Sequence, residues 1–190
     1  MPVRLNLIAA ACNTSYAIGY EGRLPWDCLP NEYAYFKRMV LNCPSSKKNV
    51  LIFGPKTFAE TKHIISDDRI VAIIISRSLP SSYGEENGAI VVRSLNEACE
   101  QIEQIEDTVN AVWVCGGVPI YKMALASPNF HRLYLTRIMH EFPGDRFFPQ
   151  VDWTTMIQVT ATDNDARVST DWQVENGIQY QFCVYKRIDG

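Results

Sequence analysis

The stretch Ile70-Val71-Ala72-Ile73-Ile74-Ile75 decides the fold, because it is an unbroken apolar run that ends at Ser76-Arg77. A strand that is apolar on both faces has to be covered on both faces, as in a parallel sheet flanked by helices. Other runs of nearly continuous apolar residues have the same character, and they are residues 5–11, 49–53, 89–92 and 111–115. The sequence therefore predicts several buried parallel strands.

Segments with helical character lie between several of these strands, at residues 31–41, 95–105 and 119–126. Alternation of strands and helices predicts an α/β fold with a mainly parallel central β-sheet and flanking helices. Residues 178–185 differ, because one parity is wholly apolar and the other carries two glutamines. This pattern predicts an antiparallel C-terminal strand near a sheet edge, after a turn at Gly177. Composition predicts loops at residues 81–88 and 142–148.

The chain has 190 residues, enough for one domain with a sizeable core, so we predict a single domain over residues 1–190. Its net charge of −3 gives no general electrostatic basis for binding nucleic acid. No apolar stretch approaches the roughly 20 residues that span a bilayer, and the N-terminus lacks the apolar core and cleavage site of a signal peptide. We therefore expect a cytoplasmic protein with neither a membrane partner nor a dedicated nucleic-acid site.

The cysteines and histidines favour neither a metal site nor a disulfide framework. The six cysteines form no C-x-x-C pair and match no zinc-ligand spacing, and the three histidines are scattered. Several cysteines lie inside apolar runs, where cysteine behaves as a small hydrophobic residue. A chain with this many apolar residues can build its core without cross-links.

A carboxylate stands on the apolar side of the first predicted helix. On a helical wheel, the apolar stripe consists of Leu29, Glu32, Phe36, Met39 and Cys43, and Lys37 and Arg38 fall opposite. Burying an unpaired carboxylate is costly, so we expect Glu32 to contact solvent or a polar partner. Two interpretations stay open. Glu32 either reaches solvent from the first turn, where it favours the helix dipole, or lies at the bottom of an apolar pocket and binds a flat ligand with two adjacent N–H donors.

Glycine and basic residues stand where the apolar strands end, and the stretches are Gly54-Pro55-Lys56-Thr57, Ser76-Arg77, Arg93-Ser94 and Gly116-Gly117. Each alone is most simply a strand-to-helix turn. If the strands are parallel, however, the ends share one edge that offers basic side chains to phosphate and bare backbone to a cofactor. The Lys-Thr pair lacks the upstream glycine and spacing of a Walker loop, and Gly19 and Gly22 do not make a Rossmann fingerprint.

Together these residues resemble the dihydrofolate reductase family, specifically its animal type, over nearly the whole chain. The matching stretches are Ile18-Gly19, Leu24-Pro25-Trp26, Asn31-Glu32-Tyr33, Tyr35-Phe36-Lys37-Arg38-Met39, Ser76-Arg77, Val114-Cys115-Gly116-Gly117, Ile120-Tyr121, Leu135-Thr136-Arg137-Ile138, Asp145 and Phe147-Phe148-Pro149. Each stretch is modest, and the ordered set is specific.

The resemblance implies an enzyme, an NADPH-dependent oxidoreductase. It would reduce 7,8-dihydrofolate to 5,6,7,8-tetrahydrofolate by hydride transfer to pterin C6 with protonation at N5. It also implies a monomer, a place in tetrahydrofolate synthesis for one-carbon metabolism, and inhibition by antifolates.

The resemblance further implies a catalytic and substrate-binding set. Glu32 would hold the 2-amino group and N3 of the pterin, with Thr136 orienting its carboxylate and Trp26 holding an ordered water. Phe36 would pack on the pterin and p-aminobenzoyl rings. The other implied substrate contacts are Ile8, Tyr33, Cys115 and, for the glutamate tail after a one-residue insertion, Arg69.

The NADPH contacts implied by the resemblance fall into three groups. Those for the nicotinamide end are Ala10, Ile18 and Gly19, with a closing loop of Tyr20, Glu21, Gly22, Arg23 and Leu24. Those for the adenosine and phosphates are Lys56, Thr57, Ser76, Arg77 and Arg93. Those for the pyrophosphate are Gly116, Gly117, Val118, Ile120 and Tyr121.

Two positions depart from the animal pattern. Pro55 stands where a basic residue is usual, so one phosphate contact is missing and the preference for NADPH rests on Lys56 and Arg77. Cys115 replaces an aliphatic residue, which predicts a thiol-reactive pocket.

Two rival functions remain. A sister reductase of the same fold, acting on a riboflavin precursor, is disfavoured by Glu32 and Phe36. A non-catalytic folate- or nucleotide-binding protein is disfavoured by intact Trp26, Glu32 and Arg77, together with the glycine pair. Turnover, as opposed to ligand binding alone, would separate them.

Overall fold

The computed structural model describes residues 2–64, 66–159, 165 and 167–188. Its strands are β1 (Leu5–Cys12), β2 (Ala17–Gly19), β3 (Lys48–Phe53), β4 (Ile70–Ile75), β5 (Ala89–Val92), β6 (Val109–Val114), β7 (Phe130–Ile138), β8 (Arg146–Phe147), β9 (Met156–Gln158), β10 (Gln173–Glu175) and β11 (Ile178–Arg187). Its α-helices are α1 (Pro30–Leu41), α2 (Pro55–Thr61), α3 (Ser81–Asn87), α4 (Leu95–Glu103) and α5 (Val118–Ala126). Every strand and helix predicted from periodicity is confirmed.

The chain divides into two compact units. The first, here the parallel unit, spans residues 1–6 and 37–130. The second, here the antiparallel unit, spans residues 7–36 and 131–190. The prediction of one domain over residues 1–190 stays a prediction.

The parallel unit is built on strands in the order β6-β3-β4-β5, and each neighbouring pair is parallel. The unbroken apolar runs explain this arrangement, because Leu51, Ile52 and Ile74 are fully buried from both faces. Helix α4 covers the strands with Ala98 and Ile102 on its buried side. The α/β class with mainly parallel strands and flanking helices is confirmed.

The predicted loop at residues 81–88 is wrong, because the structure has helix α3 there. Glycine in this segment serves close packing: a Cβ added to Gly84 would lie 2.5 Å from the carbonyl oxygen of Ala89. Gly88 ends the helix in the left-handed conformation at φ 68°, which glycine adopts without steric cost. A composition typical of loops thus belongs to a helix that packs tightly on β5.

The antiparallel unit is centred on β11, which confirms the antiparallel C-terminal strand. Strand β11 pairs antiparallel with β7 on one side, and with β10 and β9 on the other. The β10–β11 connection is a two-residue turn of Asn176 and Gly177, with φ values of 49° and 76°. Positive φ at both positions defines the tight turn that suits twisted hairpins. The predicted loop at residues 142–148 is wrong in part, because β8 within it pairs with β2.

All six cysteines lie within the described residues and are free thiols. Among the described residues, no helix combines the length and the apolar character needed to cross a bilayer. The same residues contain no group of three or more His, Cys, Asp or Glu placed to hold a metal ion.

Candidate active site

Glu32 lies in the first turn of α1 and is buried, with 5% of the residue exposed. The hydroxyl of Thr136, on β7, donates a hydrogen bond of 2.9 Å to its Oε1. Lys37 and Arg38 are exposed on the other side of the helix, as the helical wheel predicts. The interpretation in which Glu32 reaches solvent is therefore wrong.

Burial raises the pKa of Glu32 from its ordinary value of 4.5 to about 7. The hydrogen bond from Thr136 opposes this shift, because it favours the charged form of Glu32. The negative charge of Glu175 raises the pKa of Glu32 further. A carboxyl group with a pKa near neutrality can be either protonated or ionised under physiological conditions. This is the property expected of an acid–base group in a catalytic site.

We expect Glu32→Gln to stabilise the fold at about pH 8 and to change it little near pH 4.5. An acid whose pKa is raised in the folded chain weakens the fold as pH rises from the unfolded to the folded value, because the unfolded chain ionises it first. Over the interval from 4.5 to about 7 this loss amounts to about 3 kcal/mol, which is the upper limit of the gain.

The measurement is the free energy of unfolding in urea at both pH values. Glu85→Gln, which removes an exposed charge from α3, is the matched control. A difference between Glu32→Gln and the native chain that does not grow with pH would contradict the assignment of a raised pKa to Glu32.

Trp26 precedes α1 and is buried, and its ring lies 5.9 Å from that of Phe142. Its indole Nε1 is buried and has no hydrogen-bond partner among the described residues. Buried indole N–H groups usually have an acceptor. The donor is therefore available to a bound ligand or water.

Two aromatic side chains of α1 add an apolar, planar surface. The rings of Tyr33 and Phe36 stack at 6.0 Å between centroids, and both residues are half-buried. Phe36 lies one turn after Glu32 on the same stripe of the helix. Ile8, on β1, is buried in the same unit. These side chains suit a flat, apolar ligand with a polar edge.

The residues from Ile18 to Leu24 begin in β2 and continue into a closed turn. Tyr20 and Arg23 exchange backbone hydrogen bonds of 2.9 and 3.0 Å around Glu21 and Gly22, whose φ values are 49° and 78°. Asp145 accepts from the N–H of Glu21 at 3.1 Å. Residues 20–24 are exposed. The turn is thus fixed at its base and exposed at its tip.

In the parallel unit, the ends of four strands meet at one edge, as predicted. Gly54, Ser76, Arg93 and Gly116 follow β3, β4, β5 and β6 in turn. The N–H of Gly54 donates to the carbonyl of Gly116 at 2.7 Å, which joins two of these ends. Ligands of open α/β sheets bind beyond such carboxyl ends.

Bare backbone is required at the glycine pair, whose peptide bond is cis. Gly116 has φ +106°, and a Cβ on it would lie 3.0 Å from the ring of Tyr121. A Cβ on Gly117 would lie 3.3 Å from the hydroxyl of Thr57. Gly117 is also the N-cap of α5 and has no side chain to satisfy the first N–H groups. These features fit a phosphorylated cofactor that approaches the backbone closely.

The basic residues predicted to bind phosphate differ in what they contact. Lys56 and Arg77 are exposed. The guanidinium of Arg93 donates to the carbonyls of Ser76 and Leu79 at 2.7 and 2.5 Å. Arg93 therefore supports the loop that carries Arg77, a role the sequence did not suggest.

Arg69, predicted for a glutamate tail, is paired with an acid from its own loop. Its Nε and Nη2 donate to the two oxygens of Asp67 at 2.9 and 2.6 Å. This pairing lowers the pKa of Asp67 to about 2.

Cys115 is buried, and burial raises the pKa of its thiol. The thiol therefore stays protonated, which argues against the predicted reactivity.

The predicted residues separate by unit. In the antiparallel unit lie Ile8, Ala10, Ile18, Gly19, Tyr20, Glu21, Gly22, Arg23, Leu24, Trp26, Glu32, Tyr33, Phe36 and Thr136. In the parallel unit lie Lys56, Thr57, Arg69, Ser76, Arg77, Arg93, Cys115, Gly116, Gly117, Val118, Ile120 and Tyr121. Sequence reasoning missed Glu175 and Tyr180. The Asn-Gly turn between them indicates a hairpin, but it gives no sign that Glu175 is buried.

Comparisons with known proteins all point to one family. A sequence model of the family described as dihydrofolate reductase matches residues 4–187. The chain is 38% identical over 188 residues to the dihydrofolate reductase of Gallus gallus, covering 96% of each chain. It is 36% identical over 191 residues to that of Aedes albopictus, covering 97% of this chain and 98% of the other. The structure is similar to Schistosoma mansoni dihydrofolate reductase, with a TM-score of 0.78, 28% identity, and coverage of 97% and 98%.

Proposed function

Because the chain belongs to the dihydrofolate reductase family and is therefore an oxidoreductase, we propose that it reduces 7,8-dihydrofolate to 5,6,7,8-tetrahydrofolate with NADPH. Bound NADPH would supply a hydride to C6 of the pterin, while N5 gains a proton. The observation that carries the proposal is Glu32, a buried carboxyl group with a pKa near 7 that is oriented by Thr136.

Glu32 would bind the pterin at its 2-amino group and N3. A carboxylate accepts two adjacent N–H donors at once, and such charge-assisted bonds are the strong ones. The hydrogen bond from Thr136 to Oε1 fixes the orientation of the carboxylate, and each oxygen keeps a lone pair for the ring. The raised pKa lets Glu32 favour protonation at N5 through water without touching that atom.

The aromatic residues of the antiparallel unit would hold the ring. Phe36 and Tyr33 offer a stacked, half-buried surface for the pterin and p-aminobenzoyl groups. The unpartnered N–H of Trp26 would hold an ordered water near Glu32. Ile8 and Cys115 would complete the apolar lining, and Arg69 would bind the glutamate tail if its pairing with Asp67 opens.

The cofactor would be held by residues whose geometry fits phosphate and a nicotinamide ring. The backbone of Gly116 and Gly117, Val118, Ile120 and Tyr121 would follow the pyrophosphate. Lys56, Thr57, Ser76 and Arg77 would bind the adenosine phosphates, and Arg93 would support that loop. Ala10, Ile18, Gly19 and the turn at residues 20–24 would lie at the nicotinamide end. Orienting the two rings and excluding water is the protein's main contribution to the rate.

The resemblance and the family match, which runs from residue 4 to 187 across both units, support one reductase domain. A monomer and inhibition by antifolates remain predictions from the family, and a cytoplasmic location remains a prediction from the sequence.

The deciding experiment follows nicotinamide absorbance when the purified protein meets NADPH and dihydrofolate. We expect rapid loss that requires both compounds and is abolished by methotrexate. A folded protein that binds both compounds without loss of absorbance would instead be a binding protein. Loss only with a riboflavin precursor in place of dihydrofolate would identify a sister reductase.

A further inference from the structure

A second buried carboxylate lies at the start of the helix that carries Glu32. Glu175, at the end of β10, is 8% exposed. Both of its oxygens accept from the backbone N–H of Asn31, at 2.9 and 3.1 Å. Its Oε2 also accepts from the hydroxyl of Tyr180 at 3.2 Å.

These contacts are all made by donors, which is the pattern of an ionised carboxylate. The N–H of Asn31 is one of the first in α1 and has no partner within the helix. Glu175 therefore caps the helix from a neighbouring strand, where a negative charge also favours the helix dipole. The cap lies one residue before Glu32.

The turn of the β10–β11 hairpin makes a second contact with the start of α1, through the residues that precede the helix. Asn176 donates from its side-chain amide to the carbonyl of Cys28 at 2.6 Å. Its φ of 49° places it in the tight turn with Gly177. The β10–β11 hairpin thus fixes the chain on both sides of Leu29 and Pro30, immediately before Glu32.

We propose that Glu175 is a positioning residue for Glu32, fixing the first turn of α1 through Asn31 and placing a negative charge beside the pterin-binding carboxylate. Within the part of the chain that the structure describes, Glu32 interacts with the hydroxyl of Thr136 and with the negative charge of Glu175. Tyr180 feels the charges of both carboxylates, and burial together with these charges raises its pKa above the ordinary value. Tyr180 therefore remains a hydrogen-bond donor to Glu175 at every working pH.

The charge has a defined effect on the chemistry. The negative charge of Glu175 disfavours ionisation of Glu32, and so raises the pKa of Glu32 in addition to burial. Removing that charge should lower the pH at which Glu32 ionises by about 0.5 to 1 unit, because an effective dielectric constant of about 20 weakens the repulsion even between buried carboxylates.

The test uses the whole protein with its glutamate carboxyl carbons labelled with carbon-13, and follows the titration of Glu32 by NMR. The signal of Glu32 is assigned by its loss in Glu32→Gln. Glu175→Gln removes the charge and keeps one oxygen that can accept from Asn31, while its NH2 group can donate to the hydroxyl oxygen of Tyr180. Tyr180→Phe keeps the charge and removes the donor that partly compensates it. Asp171→Asn removes an exposed charge just before β10 and is the matched control.

We expect the Glu32 midpoint to fall in Glu175→Gln, to rise in Tyr180→Phe, and to stay in place in Asp171→Asn. The inference is overturned if Glu175→Gln titrates like the native chain, or if Asp171→Asn shifts the midpoint equally. Should Glu175→Gln not fold, an unchanged or lower midpoint in Tyr180→Phe overturns it.

The catalytic part of the inference rests on the proposed function, and a second measurement separates the two. The pH profile of kcat/KM should move with the NMR midpoint in Glu175→Gln. A midpoint that moves in a protein without reductase activity would reject the proposed function and keep the coupling of the carboxylates. An active enzyme whose profile stays in place would reject the role of Glu175.

Discussion

Glu32→Gln is expected to lower turnover of dihydrofolate at neutral pH by about 10²- to 10⁴-fold, the range typical of a lost acid–base group. The amide has nearly the shape of the carboxylate, and its oxygen can still accept from Thr136, so the fold should persist. It cannot carry the charge that pairs with the 2-amino group and N3 of the pterin, and it cannot hold a proton that favours N5 protonation.

Steady-state rates across pH provide the measurement, and Glu85→Gln, with its exposed charge removed, should behave like the native chain. The loss should be smaller in acid than in base, because protons from solution can then reach N5 without help from the side chain. Turnover of Glu32→Gln within a factor of about two of native, at every pH, would remove Glu32 from the mechanism.

Arg77→Ala is expected to raise KM for NADPH by about 10- to 100-fold and to change KM for NADH little. Hydrogen bonds to a charged phosphate contribute roughly 1.5–3 kcal/mol each, which corresponds to that range. Arg77 is exposed beyond the end of β4, on the loop that Arg93 supports through the carbonyls of Ser76 and Leu79. The 2′-phosphate is the group that distinguishes the two cofactors, so the substitution should weaken binding of NADPH and leave binding of NADH nearly unchanged.

Both Michaelis constants should be measured on the same preparation. Lys48→Ala provides the control, because it removes a positive charge from the opposite, N-terminal end of β3. Equal increases for NADPH and NADH in Arg77→Ala would withdraw the 2′-phosphate assignment. Equal effects of Lys48→Ala and Arg77→Ala would show a response to net charge alone.

Strands and helices with a clear apolar periodicity can be predicted from the sequence alone. Strand β4 is apolar at every position, so its burial on both faces follows from its residues. Helix α3 was missed because the property that matters, the approach of Gly84 to Ala89, is a distance between segments. A glycine that breaks a helix and one that allows close packing look the same in a sequence.

Strand β10 shows why the second carboxylate could not be predicted. Alternation would place the apolar Val174 inside and the charged Glu175 outside, yet Val174 is 69% exposed and Glu175 is buried. The N–H of Asn31 and the hydroxyl of Tyr180 reverse the usual preference, because they satisfy the carboxylate. Asn31 is distant along the chain and Tyr180 lies across the hairpin turn, so neither donor appears in the alternation of β10 itself.

The contacts of Arg93 and Arg69 also could not be predicted from the sequence. Arg93 is predicted at a functional position from its place after a strand and from the family resemblance, and Arg69 from the resemblance alone. What each guanidinium contacts depends on the loops around it: Arg93 donates to backbone carbonyls, and Arg69 to Asp67. The place of an arginine along the chain can be predicted from the sequence pattern, whereas its hydrogen-bond partners depend on how the loops pack.

The burial of Glu32 has a consequence for directed evolution. A library screened for heat resistance alone at alkaline pH would favour replacements of Glu32, because an uncharged side chain relieves the cost of ionising a buried acid. The most heat-resistant clones would then be among the least active. Screens on this scaffold should therefore require growth that depends on turnover, so that robustness is sought at other positions.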